Sequence, residues 1–236
     1  GGPALARNLG VLKSKNEIII FIDSDLIVVN NFLINHVNKL LDYWEKFNKN
    51  CFTYGSVINT SNFRNPEKEK HKITDISFAY FATGNVAISR DLLLKVGLFD
   101  SSFSLYGWED LELGERLKQF GTKLIKCPDA KGYHWHPPFQ CKQINSLIEK
   151  EIERAKMALV FFNKHSNLRV RFTIQLTFLH RIIWSLVCLG GLINVKTLTP
   201  LLKYLIKKGK NNLALELFKI PLNYVYIKEL NKSFKK

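Results

Sequence analysis

Hydrophobic positions change their period near residue 140, which divides the chain into two parts. Before that point, short apolar runs alternate with stretches of helical period, the signature of an α/β layer. Residues 17–23 read EIIIFID, a nearly unbroken apolar run that predicts a buried central strand, parallel to its neighbours. Phe32, Val37, Leu40, Leu41 and Trp44 follow at helical spacing and predict an amphipathic helix over 31–48. Strands are predicted over 51–58 and 76–82, with a polar, charged loop over 59–75 between them. A short helix over 90–96 should stop at Gly97, and another over 110–120 at Gly121. Residues 122–127 then predict a strand that leads into Pro128.

Beyond residue 140 the pattern is helical. A charged helix is predicted over 143–163. The stretch 169–195 is strongly apolar but is interrupted by Gln175, His180 and Arg181. A membrane-spanning helix needs about 20 apolar residues with few charges, so His180 and Arg181 argue against a span. Lys203, Lys207, Lys208, Lys210 and Lys219 sit among Leu, Ile and Phe, as in an interfacial amphipathic helix. A helical cap with a solvated basic face fits the same pattern. Two domains follow: 1–140, and a basic amphipathic extension over 141–236. The chain opens in mid-pattern at Gly1, which reads as a segment without its original N-terminus.

Composition sharpens this division. The 236 residues are 46% hydrophobic, as in a folded protein. The net charge of +15 is uneven: residues 1–140 carry 17 Lys/Arg against 15 Asp/Glu, and residues 141–236 carry 18 against 5. An anionic partner is implied for the second part, a membrane surface before nucleic acid. That segment is too apolar for a nucleic-acid module. Cys51, Cys127, Cys141 and Cys188 lack both disulfide-scaffold density and Cys-x-x-Cys spacing, and fit a reducing compartment. Cys127 and Cys141 flank a His-bearing stretch, but structural roles fit them better than a metal cluster.

Three motifs carry candidate chemistry. Asp23-Ser24-Asp25 leaves the carboxyl end of the IIIFI strand, where ligands of open α/β sheets bind. In extended geometry both carboxylates face one side and offer hard oxygens to Mg²⁺ or Mn²⁺. A pair of turn aspartates capping the next helix is the alternative. Gly107-Trp108-Glu109-Asp110 places two acids at a predicted helix start, either as an N-terminal cap or with a general base for a sugar hydroxyl. Trp108 is either a platform for a sugar ring or a core residue. His134 and His136, spaced i and i+2, could complete the sphere of a cation at Asp25.

Taken in order, Gly2-Pro3-Ala4-Leu5-Ala6-Arg7-Asn8, IIIFIDSD, Thr83-Gly84-Asn85, Arg90-Asp91-Leu92-Leu93-Leu94, Val96-Gly97-Leu98-Phe99-Asp100 and Gly107-Trp108-Glu109-Asp110 resemble family 2 glycosyltransferases. The latter half is also similar to β-1,4-galactosyltransferases and chondroitin-polymerase-type enzymes. The resemblance covers about residues 1–138. It implies a GT-A, Rossmann-like mixed sheet lacking its first βα unit, followed by a helical extension. It implies metal-dependent, inverting transfer of a hexose from a nucleotide sugar, UDP-linked by expectation, to a glycan or lipid-linked glycan at the cytoplasmic face of the cell membrane. By position, Arg7 and Asp23 would serve the donor. Asp25 and His134 would hold Mn²⁺ or Mg²⁺, and Asp25 would also face the donor. Gly84, Trp108 and Glu109 would serve the acceptor, and Asp110 would be the base.

Two other classes compete. Haloacid-dehalogenase-like phosphatases also place an Asp-x-Asp after an apolar strand, but Ile27 stands where those enzymes carry Thr or Val. A non-catalytic basic membrane-binding module would need only residues 141–236.

Overall fold

The computed structural model describes residues 2–72, 75, 77 and 79–234. These fall into two compact units. One contains Pro3–Ser101 and Glu109–Pro137; the other contains Gly2, Ser102–Trp108 and the chain from Pro138 onward.

The first unit is a mixed α/β layer. Its elements are α1 (Pro3–Lys13), β1 (Ile18–Ile22), β2 (Leu26–Val28), α2 (Phe32–Trp44), β3 (Cys51–Thr60), β4 (Asn85–Ser89), α3 (Arg90–Val96), α4 (Glu109–Gln119) and β5 (Lys123–Trp135). The sheet order is β1-β4-β3-β5-β2. Among the described strands only β3 and β5 run parallel, and the other three pairings are antiparallel. The expectation of a central, parallel strand at 17–23 is therefore corrected. β1 pairs β4 antiparallel and forms an edge among the described strands. A continuous apolar run reports on what covers a strand's faces and is silent on its edges. The central strand is β3, in which Cys51, Phe52, Thr53, Gly55, Ile58 and Thr60 are buried.

The predicted strand at 76–82 is also corrected. Ile76 and Phe78 lie outside the described residues, and Ser77 and Ala79–Ala82 are not strand. The apolar run enters the sheet only at Asn85, where all five residues of β4 are buried. Instead, Phe81 serves as a core plug, with its ring edge-on to Phe52 at 5.4 Å and to Phe21 at 6.4 Å.

The strand expected to end before Pro128 continues to Trp135. Its register against β3 jumps from Gly55↔Cys127 to Ser56↔Lys131, so Pro128, Asp129 and Ala130 bulge out. A bulge tolerates a proline because it leaves the ladder unpaired there. Asn85 stabilises the jump. Its Nδ2 donates to Ser56 O at 3.0 Å and Ala130 O at 2.8 Å. Both amide hydrogens are thereby used, so Oδ1 must accept from His36 Nε2, 2.7 Å away. His36 Nδ1 then pairs with the Thr53 hydroxyl at 2.8 Å. Burial lowers the His36 pKa, keeping the ring neutral. Gly55 is required beside this network, since a Cβ there would lie 2.4 Å from Ala130 O.

α2 buries Phe32, His36, Leu40 and Trp44, one residue per turn, against the sheet. α3 begins at Ser89, whose hydroxyl accepts from Leu92 N, and stops at Gly97 with φ 95°.

The second unit is helical: α5 (Ile144–Lys164), α6 (Leu168–Thr173), α7 (Phe178–Val187), α8 (Val195–Lys207) and α9 (Asn211–Phe234). Phe139, Ile144, Leu202, Leu205, Ala214, Phe218 and Leu222 form one core cluster. The apolar stretch 169–195 breaks into α6, α7 and a turn at Gly190 and Gly191, both with positive φ. No helix of the described residues is long and apolar enough to cross a membrane.

Candidate active site

The first unit builds a three-residue cluster where β1 ends. Asp23 follows β1, and its N–H meets Gly84 O at 3.4 Å. After Asp25 the chain reverses into β2, which pairs with the far end of β5 in the register Leu26↔His134. Trp135 N also donates to Asp25 O at 3.0 Å. The close approach needs Gly132, because a Cβ there would lie 2.4 Å from the Leu26 side chain. His134 Nε2 thus lies 3.0 Å from Asp25 Oδ1. One potential ligand atom from each of Asp23, Asp25 and His134 falls within 4.8 Å of the others. Two carboxylate oxygens and an imidazole nitrogen at this spacing fit a Mn²⁺- or Mg²⁺-sized cation. His136 lies beside His134, ring centroids 4.2 Å apart and planes tilted by 51°, but its Nε2 turns to Asn59 Oδ1 at 2.8 Å.

The second cluster lies at the start of α4. Glu109, Asp110 and Glu112 occupy its first turn, where the helix dipole favours carboxylates. They have different partners. Glu112 grips Arg116, which in turn donates to Val96 O and Leu98 O, a structural tie between α4 and the end of α3. Glu109 is 5% exposed. Its Oε1 accepts from Arg7 at 2.5 Å, and its Oε2 is buried without a hydrogen-bond partner among the described groups. Arg7 lies over the Phe99 ring at 5.5 Å and faces Glu109. Its neighbour Asn8 clamps Phe99 through hydrogen bonds to both the Phe99 carbonyl and its N–H.

Asp110 titrates above the ordinary carboxylate range. Burial first, then the neighbouring Glu109 charge, push its pKa up to about 6. Arg7 opposes that rise, as do hydrogen bonds from the backbone of Leu111 and Thr83. The Thr83 contact joins Asp110 to the other cluster, because Gly84 touches Asp23: a Cβ at 84 would lie 2.9 Å from Asp23 Oδ2. Tyr54, on β3, was not singled out from the sequence. Burial raises its pKa, and the charges of Asp110 and Asp23 raise it further, which places its hydroxyl within the field of both carboxylates. Only cross-strand placement reveals it, since Tyr54 has no motif around it.

The segment just before Glu109 belongs to the helical unit. Gly107 and Trp108 both take positive φ, 102° and 75°. A tryptophan in that region is strained, and Arg154 of α5 holds it. Trp108 Nε1 donates to Arg154 O at 2.8 Å. The Arg154 guanidinium lies 5.5 Å from the Trp108 ring and 4.5 Å from that of Tyr226. Trp108 is also 6.1 Å from Phe161. Within this unit it is a packed anchor.

No family model matches the chain. Curated sequences do. The chain is 33% identical to the hyaluronan synthase of Pasteurella multocida over 97 residues, 39% of this chain and 10% of that protein. It is 26% identical to the chondroitin synthase of Pasteurella multocida (strain Pm70) over 168 residues, 56% of this chain and 17% of that one. The chain is related in sequence to glycosyltransferases. It spans under a fifth of the length of either relative. Among solved structures, the mannosyltransferase PcManGT from Pyrobaculum calidifontis, in complex with GDP-Man and Mn²⁺, is similar at a TM-score of 0.49 and 16% identity, covering 97% of this chain and 66% of that one.

Proposed function

We propose that this chain carries the base and cation site of an inverting, family 2, GT-A glycosyltransferase that moves a hexose from a UDP-sugar to a hydroxyl of a glycan or lipid-linked glycan. The observation that carries the reading is the Asp23–Gly84–Thr83–Asp110 chain of contacts. It supports the reading because it links a carboxyl of pKa about 6, through two adjacent residues, to Asp23.

Each residue has a part. Asp110, ionised at neutral pH, takes the proton of the acceptor hydroxyl as it attacks the anomeric carbon from the face opposite the leaving diphosphate. Glu109 Oε2, a buried acceptor without a partner among the described residues, would take a sugar hydroxyl, while Arg7, paired with its Oε1, would serve the donor. Gly84 leaves room for substrate beside Asp23. Asp23 and Asp25 would face the donor, and Asp25 with His134 would hold Mn²⁺ or Mg²⁺. A divalent cation there would neutralise charge on a diphosphate. Trp108, by its place in the motif, would serve the acceptor. Sequence kinship to transferases disfavours the phosphatase alternative. The setting is synthesis of cell-surface polysaccharide or lipopolysaccharide at the inner face of the cell membrane, with residues 141–236 contacting anionic lipid.

The test is a screen of UDP- and GDP-sugars with Mn²⁺ and oligosaccharide acceptors, read by mass spectrometry, with the product anomer assigned by NMR. A product of inverted configuration formed from a UDP-sugar supports the reading. Release of inorganic phosphate from simple phosphomonoesters with no sugar transfer would overturn it.

A further inference from the structure

We propose that the apolar face of α6, α7 and the turn after them inserts into an anionic lipid surface. This deepens the membrane part of the reading above by assigning the contact to one element. It does not depend on the assignment of Asp110.

The sequence left three roles open for 169–195: a span, a core cap or a surface element. No helix of the described residues can span; α7 has ten residues, about 15 Å of helix against about 30 Å of hydrocarbon. Nor is α7 a cap, because none of its residues is buried. Leu168, Phe178, Leu179, Leu186, Leu189 and Leu192 are each more than half exposed, up to 73% at Leu192. On α7 the exposed side chains form two adjacent rows, Phe178/Ile182/Leu186 and Leu179/Ile183/Val187, while His180, Trp184 and Ser185 turn inward. The rings of Phe172 and His180, 6.1 Å apart, join α6 to the same surface. A contiguous apolar patch of this kind marks an interaction site.

Charge identifies the partner. Residues 155–215 contain ten Lys/Arg and no Asp or Glu. All ten cations are exposed. A second copy would bring like charge against like charge. An anionic bilayer satisfies both features: cations at the headgroups and apolar rows in the acyl boundary.

The experiment is co-sedimentation of the full chain with phosphatidylglycerol or phosphatidylcholine vesicles, alongside light scattering of the free protein. Binding to phosphatidylglycerol, weakened by salt and nearly absent with phosphatidylcholine, is expected. The triple variant Phe178→Ser, Leu186→Ser, Leu192→Ser should bind about tenfold more weakly with its melting temperature little changed, because these side chains are 69–73% exposed in the folded chain. Replacing Arg181, Lys196 and Lys203 with Gln should weaken binding and flatten its salt dependence. Unchanged binding in both variants, no vesicle binding at all, or a dimer that the Ser substitutions dissolve would each overturn the proposal. Asp110→Asn should bind vesicles as the parent does, which separates this test from that of the catalytic reading.

Discussion

Arg7 and Glu109, 102 residues apart, meet at 2.5 Å and leave the second Glu109 oxygen buried without a hydrogen-bond partner among the described residues. One guanidinium on α1 therefore holds the Glu109 carboxylate and also restrains the rise of the Asp110 pKa.

Arg7→Gln should shift the pH–rate profile. Without the cation, the Asp110 pKa rises above about 6, so the acid limb of kcat/KM moves to higher pH. Glu109 also loses its charge partner, and stability should fall by about 3 kcal/mol. Arg7→Lys retains charge and should hold the midpoint near that of the parent. Rate measurements across pH 5–8 and a denaturant melt check both.

Asp110→Asn should cut turnover by about 10²–10⁴-fold while leaving UDP affinity nearly intact. It should also stabilise the fold. The folded pKa, about 6, lies above the ordinary 3.8, so the native state holds the proton more tightly than the unfolded chain. The parent's stability is therefore fullest below pH 3.8 and declines as pH rises through 6. The Asn variant escapes that decline, a gain of at most about 3 kcal/mol at neutral pH. Thermal melts at pH 4 and 7.5 should diverge only at the higher value.

His134→Ala should weaken Mn²⁺ binding by at least about tenfold, measured by calorimetry or electron paramagnetic resonance without substrate. His136→Ala should change it little, because its Nε2 is engaged with Asn59. Equal losses in both variants would reassign the ligand.

Gly107→Ala should destabilise the helical unit by roughly 1–3 kcal/mol. The φ of 102° disfavours a side chain, and the new Cβ would lie 2.9 Å from Arg154 Cγ. Arg154→Lys should destabilise the same unit by about 1 kcal/mol, since it loosens the guanidinium seated against the Trp108 and Tyr226 rings. Denaturant melts of the two variants check both values.

The helices at α2, α3, α4 and α5 were legible to within a few residues because each carries a helical period, and two of them end at a glycine. Asp23, Asp25, Glu109 and Asp110 were legible as candidates because acids at strand ends and helix starts break an apolar pattern. β2 was missed: Leu26-Ile27-Val28 is three residues long, and such a strand exists only through its partner. The run past Pro128 was missed for the same reason, since a bulge held by Asn85 and His36 has no local signature.

The sequence by itself determined the element types of most of the chain and the chemical inventory of the site, because period and residue type are local properties. Tertiary structure decided who meets whom. It put β1 at an edge, turned His134 rather than His136 toward Asp25, and gave Arg7 to Glu109. It also left α7 with no buried residue, where hydropathy alone had allowed a span, a cap or a surface element. Pairing, register and burial depend on distant segments sharing space, and no local pattern encodes which segments those will be.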